Sequence, residues 1–124
     1  MILKDTNILK KNESKSIVVL YGTKYGSTKQ YAEWIAKAVG AAIFEMSAFQ
    51  QSALKDYAVV IFGTPIYMGR LKYRSFLKRN WGILSTKELA VFAVSGVDSA
   101  DPRQYKAFKD SLPLHMRKKV TYYP

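Results

Sequence analysis

Residues Ile17 to Ala32, IVVLYGTKYGSTKQYA, change character twice, and the rest of the chain is read from them. Ile17 to Tyr21 is an unbroken apolar run rich in β-branched residues, the pattern of a parallel strand buried on both faces. Gly22 to Thr28 is small, hydroxylated and glycine-bearing. Beyond it the spacing becomes helical, with Tyr31, Trp34, Ile35, Ala38 and Val39 expected on one face. The stretch predicts a strand, a tight loop and a helix start.

The first turn of a helix presents backbone N–H groups without intrahelical partners, and the macrodipole adds partial positive charge there. An anion placed at that point gains several donors at once. Ser27 is the expected N-cap, with Gln30 three residues on at capping-box spacing. Thr23, Ser27 and Thr28 offer hydroxyls, and Gly26 allows close approach of backbone to ligand. The loop reads as a phosphate cradle, although any strand-to-helix turn favours the same residue types. Neither GxxxxGKS/T nor GxGxxG is present, so a P-loop and a dinucleotide fingerprint are both excluded.

Further along, Gly40 is a natural helix stop, and Ala42 to Met46 reads as a second strand. Ser47 to Lys55 fits a brief helix or turn, and Asp56 to Phe62 is a third strand, nearly all apolar. A second loop, Gly63-Thr64-Pro65-Ile66-Tyr67-Met68-Gly69, follows at a strand's carboxyl end. Arg70 to Asn80 is expected to be helical, burying Tyr73, Phe76 and Leu77 and, beyond them, Trp81 and Leu84. Glu88 to Val94 is a fourth strand, followed by a third small-residue loop, Ser95-Gly96-Val97-Asp98. Asp101-Pro102-Arg103-Gln104 opens a helix with an N-cap, a proline at its first position and a glutamine placed to close a capping box. Pro113 begins a last short turn, and Val120 to Tyr123 starts a fifth strand.

Strands alternating with helices give an α/β domain with a parallel sheet over residues 17–124, preceded by an arm, Met1 to Ser16. In such sheets ligands bind beyond the carboxyl ends of the strands. All three small-residue loops lie there, and their convergence argues for a binding site.

Composition narrows the partners. The chain has 124 residues and no cysteine, and 20 Lys plus Arg against 9 Asp plus Glu give a net charge of +11. That field favours an anionic membrane surface, an acidic protein, a nucleic acid or a phosphorylated cofactor. Arg70, Lys72, Arg74, Lys78 and Arg79 concentrate part of it, either as a solvated face or as a dock for an acidic partner or lipid head groups. They lack the surrounding motif of any nucleic-acid-binding module. No disulfide framework or thiolate metal site is possible, and the cytoplasm is the default compartment. No apolar run approaches the roughly 18 residues of a membrane span, and the N-terminus does not resemble a signal peptide.

YGTKYGST after the first strand, FGTPIYMGRL after the third and VFAVSGVD after the fourth resemble the flavin-contacting loops of the flavodoxin family. More narrowly, they are similar to the branch that includes menaquinone-dependent protoporphyrinogen dehydrogenase. The resemblance implies a doubly wound sheet of order 2-1-3-4-5 and non-covalently bound flavin mononucleotide (FMN). It implies that Thr23, Tyr25, Gly26, Ser27 and Thr28 surround the flavin phosphate, with Lys24 a solvated neighbour. Thr64, Pro65, Ile66, Tyr67, Met68 and Gly69 would border the ribityl chain and one side of the ring system, and Ser95, Gly96, Val97 and Asp98 the other. The flavin would carry the redox chemistry, so no acid/base pair is required, and His115 is not expected to be catalytic.

Two departures shape the expectation of function. The third loop lacks an aromatic to stack on the flavin, and the chain is basic where electron-carrier flavodoxins are acidic. Both favour a small oxidoreductase of the quinone-linked or protoporphyrinogen-dehydrogenase type, for which a basic surface would suit a peripheral place on anionic lipid. The alternatives are a non-enzymatic electron carrier serving a redox partner protein, and a flavin-less interaction domain. A third departure is the end at Tyr122-Tyr123-Pro124, with the last strand incomplete and the family's final helix missing. The expected consequence is an uncovered apolar sheet face, unfavourable by about 25 cal/mol per Å². The arm or a second subunit would cover it, the latter making a homodimer.

Overall fold

The structure, a computed structural model, describes residues 16–23, 26–96 and 100–124. The arm, apart from Ser16, lies outside the described residues, as do Lys24, Tyr25, Val97 and Asp98. The chain alternates β1 (Ile17–Tyr21), α1 (Ser27–Val39), β2 (Ala42–Glu45), two 3₁₀ turns (Met46–Ala48 and Gln51–Asp56) and β3 (Val59–Tyr67). It continues through β4 (Arg70–Leu71), α2 (Arg74–Arg79), α3 (Trp81–Leu84), β5 (Glu88–Val94), α4 (Pro102–Ser111), α5 (Leu114–Arg117) and β6 (Val120–Tyr123).

Five strands pair in parallel in the order β2-β1-β3-β5-β6, and β4 turns back antiparallel on the end of β3. With the two-residue β4 set aside, this is the expected 2-1-3-4-5 order. β6 is short but paired, with Leu89 to Phe92 of β5 opposite Val120 to Tyr123.

Alternation along the central strands feeds two cores. Val18, Leu20, Val60, Phe62 and Val91 face α2 to α5, where Phe76, Leu77, Leu84, Phe108 and Met116 meet them. Phe62 and Phe76 stack, their centroids 5.1 Å apart. Val19, Tyr21, Val59, Ile61, Ala90 and Phe92 face the other way, towards α1. Burying one such aliphatic or aromatic side chain contributes about 1.5–3 kcal/mol, so the central strands dominate stability.

Two expectations are corrected. The buried stripe of α1 is Thr28, Ala32, Ile35 and Ala36, because small residues let the helix sit close to the sheet; Trp34 is turned to solvent, edge-on to Tyr31. The segment after Gly69 does not begin a helix, since Arg70 and Leu71 pair with Tyr67 and Ile66 and α2 starts at Arg74. Val59, Ile61, Ala90 and Phe92 are buried on the α1 side of the sheet. On that side α1 crosses from β1 over β3 and reaches β5.

Candidate functional site

At the carboxyl end of the sheet, β1 gives way to Gly22 and Thr23. Gly22 N–H continues the ladder by donating to Gly63 O at 3.0 Å. The Thr23 hydroxyl then accepts from Gly26 N–H at 2.7 Å, closing the loop on itself. Gly26 has φ 90°, a left-handed conformation that favours glycine, and it is the N-cap of α1. Ser27 is therefore the first helical residue and not the cap expected from sequence, and no capping box forms with Gln30, whose N–H bonds Gly26 O. Among the described residues no side chain caps this helix, and its first turn has no acidic residue. The donors and the positive end of the dipole are left for something else.

The second segment is a strand and not a loop. β3 runs on through Gly63, Thr64 and Pro65, paired with Phe92, Ala93 and Val94 of β5. Gly63 is required by packing, since a Cβ there would lie 2.1 Å from the Phe92 ring. Pro65 is tolerated because β1 stops pairing at Gly63, so its missing N–H interrupts no ladder on that side. Met68 (φ 52°) and Gly69 (φ 77°) make a two-residue turn into β4 with both residues left-handed. Thr64 is fully buried; its hydroxyl accepts from Tyr73 N–H and donates to Pro65 O, each at 3.1 Å. It braces the wall from behind.

The third segment is Val94, Ser95 and Gly96. Gln104, buried in α4, donates from its amide to Ser95 Oγ at 3.0 Å, so this side chain positions the loop and is not turned back to complete a capping box at Asp101. Tyr122 supports it in turn, its hydroxyl donating to Gln104 O at 2.9 Å while its ring stacks on Phe108. Burial pushes the Tyr122 phenol up, which keeps it protonated as that donor.

These segments enclose one cleft of about 280 Å³. Ser27, Thr28 and Ser95 bring hydroxyls to it, Pro65, Ile66, Tyr67 and Val94 form an apolar side, and Gly96 completes the rim. Among the described residues nothing lies within 4 Å of where a Cβ would stand on Gly26 or Gly96. The donors at one end and the flat apolar wall at the other fit an amphiphile with an anionic tail and an aromatic head. FMN is such a molecule.

Of the residues expected at the site, Ser27, Thr28, Pro65, Ile66, Tyr67, Ser95 and Gly96 line the cleft. Thr23 and Gly26 bond to each other immediately before α1 and are not among its lining residues. Thr64 is buried behind it, whereas Met68, 86% exposed, and Gly69 lie at the hairpin tip outside its lining. Val94 was hidden inside the predicted strand, and Tyr73 inside a predicted helix. The basic residues divide: Arg70, Lys78 and Arg79 are exposed, Arg74 donates to Leu71 O, and Lys72 Nζ sits 4.8 Å from the Tyr67 ring centroid. His115 stands beside Trp81 on α5, just before β6 and so at the opposite end of the sheet from the cleft. Among the described residues no cluster of metal-binding side chains occurs, and no helix is long and apolar enough to cross a membrane.

Similar proteins agree with this architecture. No curated protein matches the sequence. Among solved structures, a WrbA-like flavodoxin from Agrobacterium tumefaciens superposes with a TM-score of 0.66 at 22% identity, over 86% of this chain and 75% of that one. A flavoprotein from Lactobacillus acidophilus, solved in complex with FMN, gives 0.56 at 15% identity over 87% and 89%. Oxidised flavodoxin 1 from Bacillus cereus gives 0.53 at 21% identity over 86% and 77%. The model of the flavodoxin domain matches residues 18–122, from within β1 to within β6. The chain belongs to the flavodoxin-domain family.

Proposed function

We propose that this chain binds FMN and acts as a small oxidoreductase of the quinone-linked or protoporphyrinogen-dehydrogenase type. The observation that carries the reading is the cleft itself, where an uncapped helix N-terminus and an apolar wall meet at the carboxyl end of a parallel sheet. Ser27 and Thr28, with the first-turn N–H groups of α1, hold the phosphate. Pro65, Ile66 and Tyr67 orient the ring system and exclude water from one side of it. Ser95, fixed by Gln104, borders the other side. Bound FMN supplies one- and two-electron transfer, and the chain tunes it through stacking and nearby charge.

A second reading, an electron carrier, is favoured by the exposed Arg70, Lys78 and Arg79 on β4 and α2, which suit an acidic redox partner. One series of measurements separates the readings. The purified protein shows flavin absorption or takes up FMN saturably at micromolar concentration. Steady turnover of a quinone or porphyrinogen without a partner protein then marks the oxidoreductase, and FMN uptake without such turnover marks the carrier. A folded protein that takes up no FMN contradicts both.

A further inference from the structure

Resting on the FMN reading above, we infer that Tyr73, which does not line the cleft, is a positioning residue for the phosphate end of the cofactor. Its hydroxyl donates to Thr23 O at 3.1 Å, across a separation of 50 residues in the chain. Its ring lies so close to Gly22 that a Cβ there would come within 2.4 Å of it. Its own N–H donates to Thr64 Oγ1, which is buried in β3. Lys72 Nζ stands 5.5 Å from its centroid and adds a cation–π contact. Tyr73 is thus fixed to the central sheet by its backbone and to the first loop by its side chain.

The connection continues to the anion site. Tyr73 holds the Thr23 carbonyl while the Thr23 hydroxyl accepts from Gly26 N–H, and Gly26 is the N-cap whose left-handed backbone aims the first turn of α1 at the cleft. Loss of the phenolic hydroxyl frees Thr23 and lets the loop sample conformations in which those donors diverge. The phosphate must then order the loop on binding, at the expense of affinity. A ligand without a phosphate does not depend on that order.

The test is Tyr73→Phe, which keeps the ring against Gly22, titrated with FMN and with riboflavin. FMN affinity falls about three- to tenfold, as expected for one lost hydrogen bond, and riboflavin affinity stays within about twofold. In the flavin-free protein, amide hydrogen exchange at Gly26, whose N–H is bonded to Thr23, accelerates while that at Val60 and Ile61 in β3 does not. Equal weakening of both flavins, or unchanged FMN affinity, overturns the inference. If the wild type takes up neither flavin, the FMN reading fails; unchanged exchange at Gly26 in the variant overturns the role of Tyr73 independently.

Discussion

Two helices begin at the same end of the sheet, and they treat their N-termini oppositely. α4 closes its own: Asp101 accepts from Arg103 N–H at 2.9 Å, and Pro102 occupies the first position, where no donor is wanted. α1 begins from Gly26 at φ 90° with no acid in its first turn and, among the described residues, no capping side chain. A helix that needs only stability is capped by its own sequence. The one bordering the cleft leaves its donors for a ligand, and the loop before it is held from a distance by Tyr73.

The largest expected effect comes from giving α1 the carboxylate it lacks. Ser27→Asp places a negative charge beside the phosphate and weakens FMN about a hundredfold, with riboflavin much less affected, as read by flavin fluorescence titration. Next is Gly63→Ala, which drives a methyl into the Phe92 ring beneath the cleft wall and costs about 1–3 kcal/mol in urea denaturation.

Removing the cap of α4 by Asp101→Ala lowers the thermal midpoint by several degrees and leaves the FMN-to-riboflavin affinity ratio unchanged, since this N-terminus serves no ligand. The hydrogen bond and charge of Arg103 hold the Asp101 carboxyl down to about 2 in the folded protein. A carboxyl lowered on folding stabilises above its unfolded value of about 4 and loses that contribution as pH falls through the folded one. The gap in midpoint between wild type and Asp101→Ala therefore narrows from about pH 4 downwards. The smallest effect is Met68→Asn at the hairpin tip, where a residue that tolerates φ 52° raises stability by about 0.5–1 kcal/mol.

The same contrast separates what was legible in the sequence from what was not. α4 announced itself through Asp101 and Pro102, since capping is a local interaction between near neighbours. β1 and β5 were equally plain, because a strand buried on both faces must be apolar throughout. The continuation of β3 through Gly63-Thr64-Pro65 was hidden, since glycine and proline signal a loop unless flanking strands impose pairing, as β5 does here. The Met68-Gly69 hairpin lacks the usual Asn-Gly or Asp-Gly signal, so Arg70 to Tyr73 read as the start of a helix. Ser27 has the right chemistry for a cap, and only the backbone angle at Gly26 shows that the helix starts without one. Tyr73 packs against the core as its spacing indicates, but its bond to Thr23 was hidden because nothing within a few residues of it reports that contact.

The central claim is that α1, unlike α4, offers its N-terminus to the anionic end of FMN. Amide nitrogen and proton shifts followed through an FMN titration test it most directly. The account predicts large saturable shifts at Ser27 and Thr28, reduced when riboflavin replaces FMN, and none at Arg103 in the first turn of α4. Saturable binding that leaves Ser27 and Thr28 unmoved, or moves them equally with riboflavin, would contradict it.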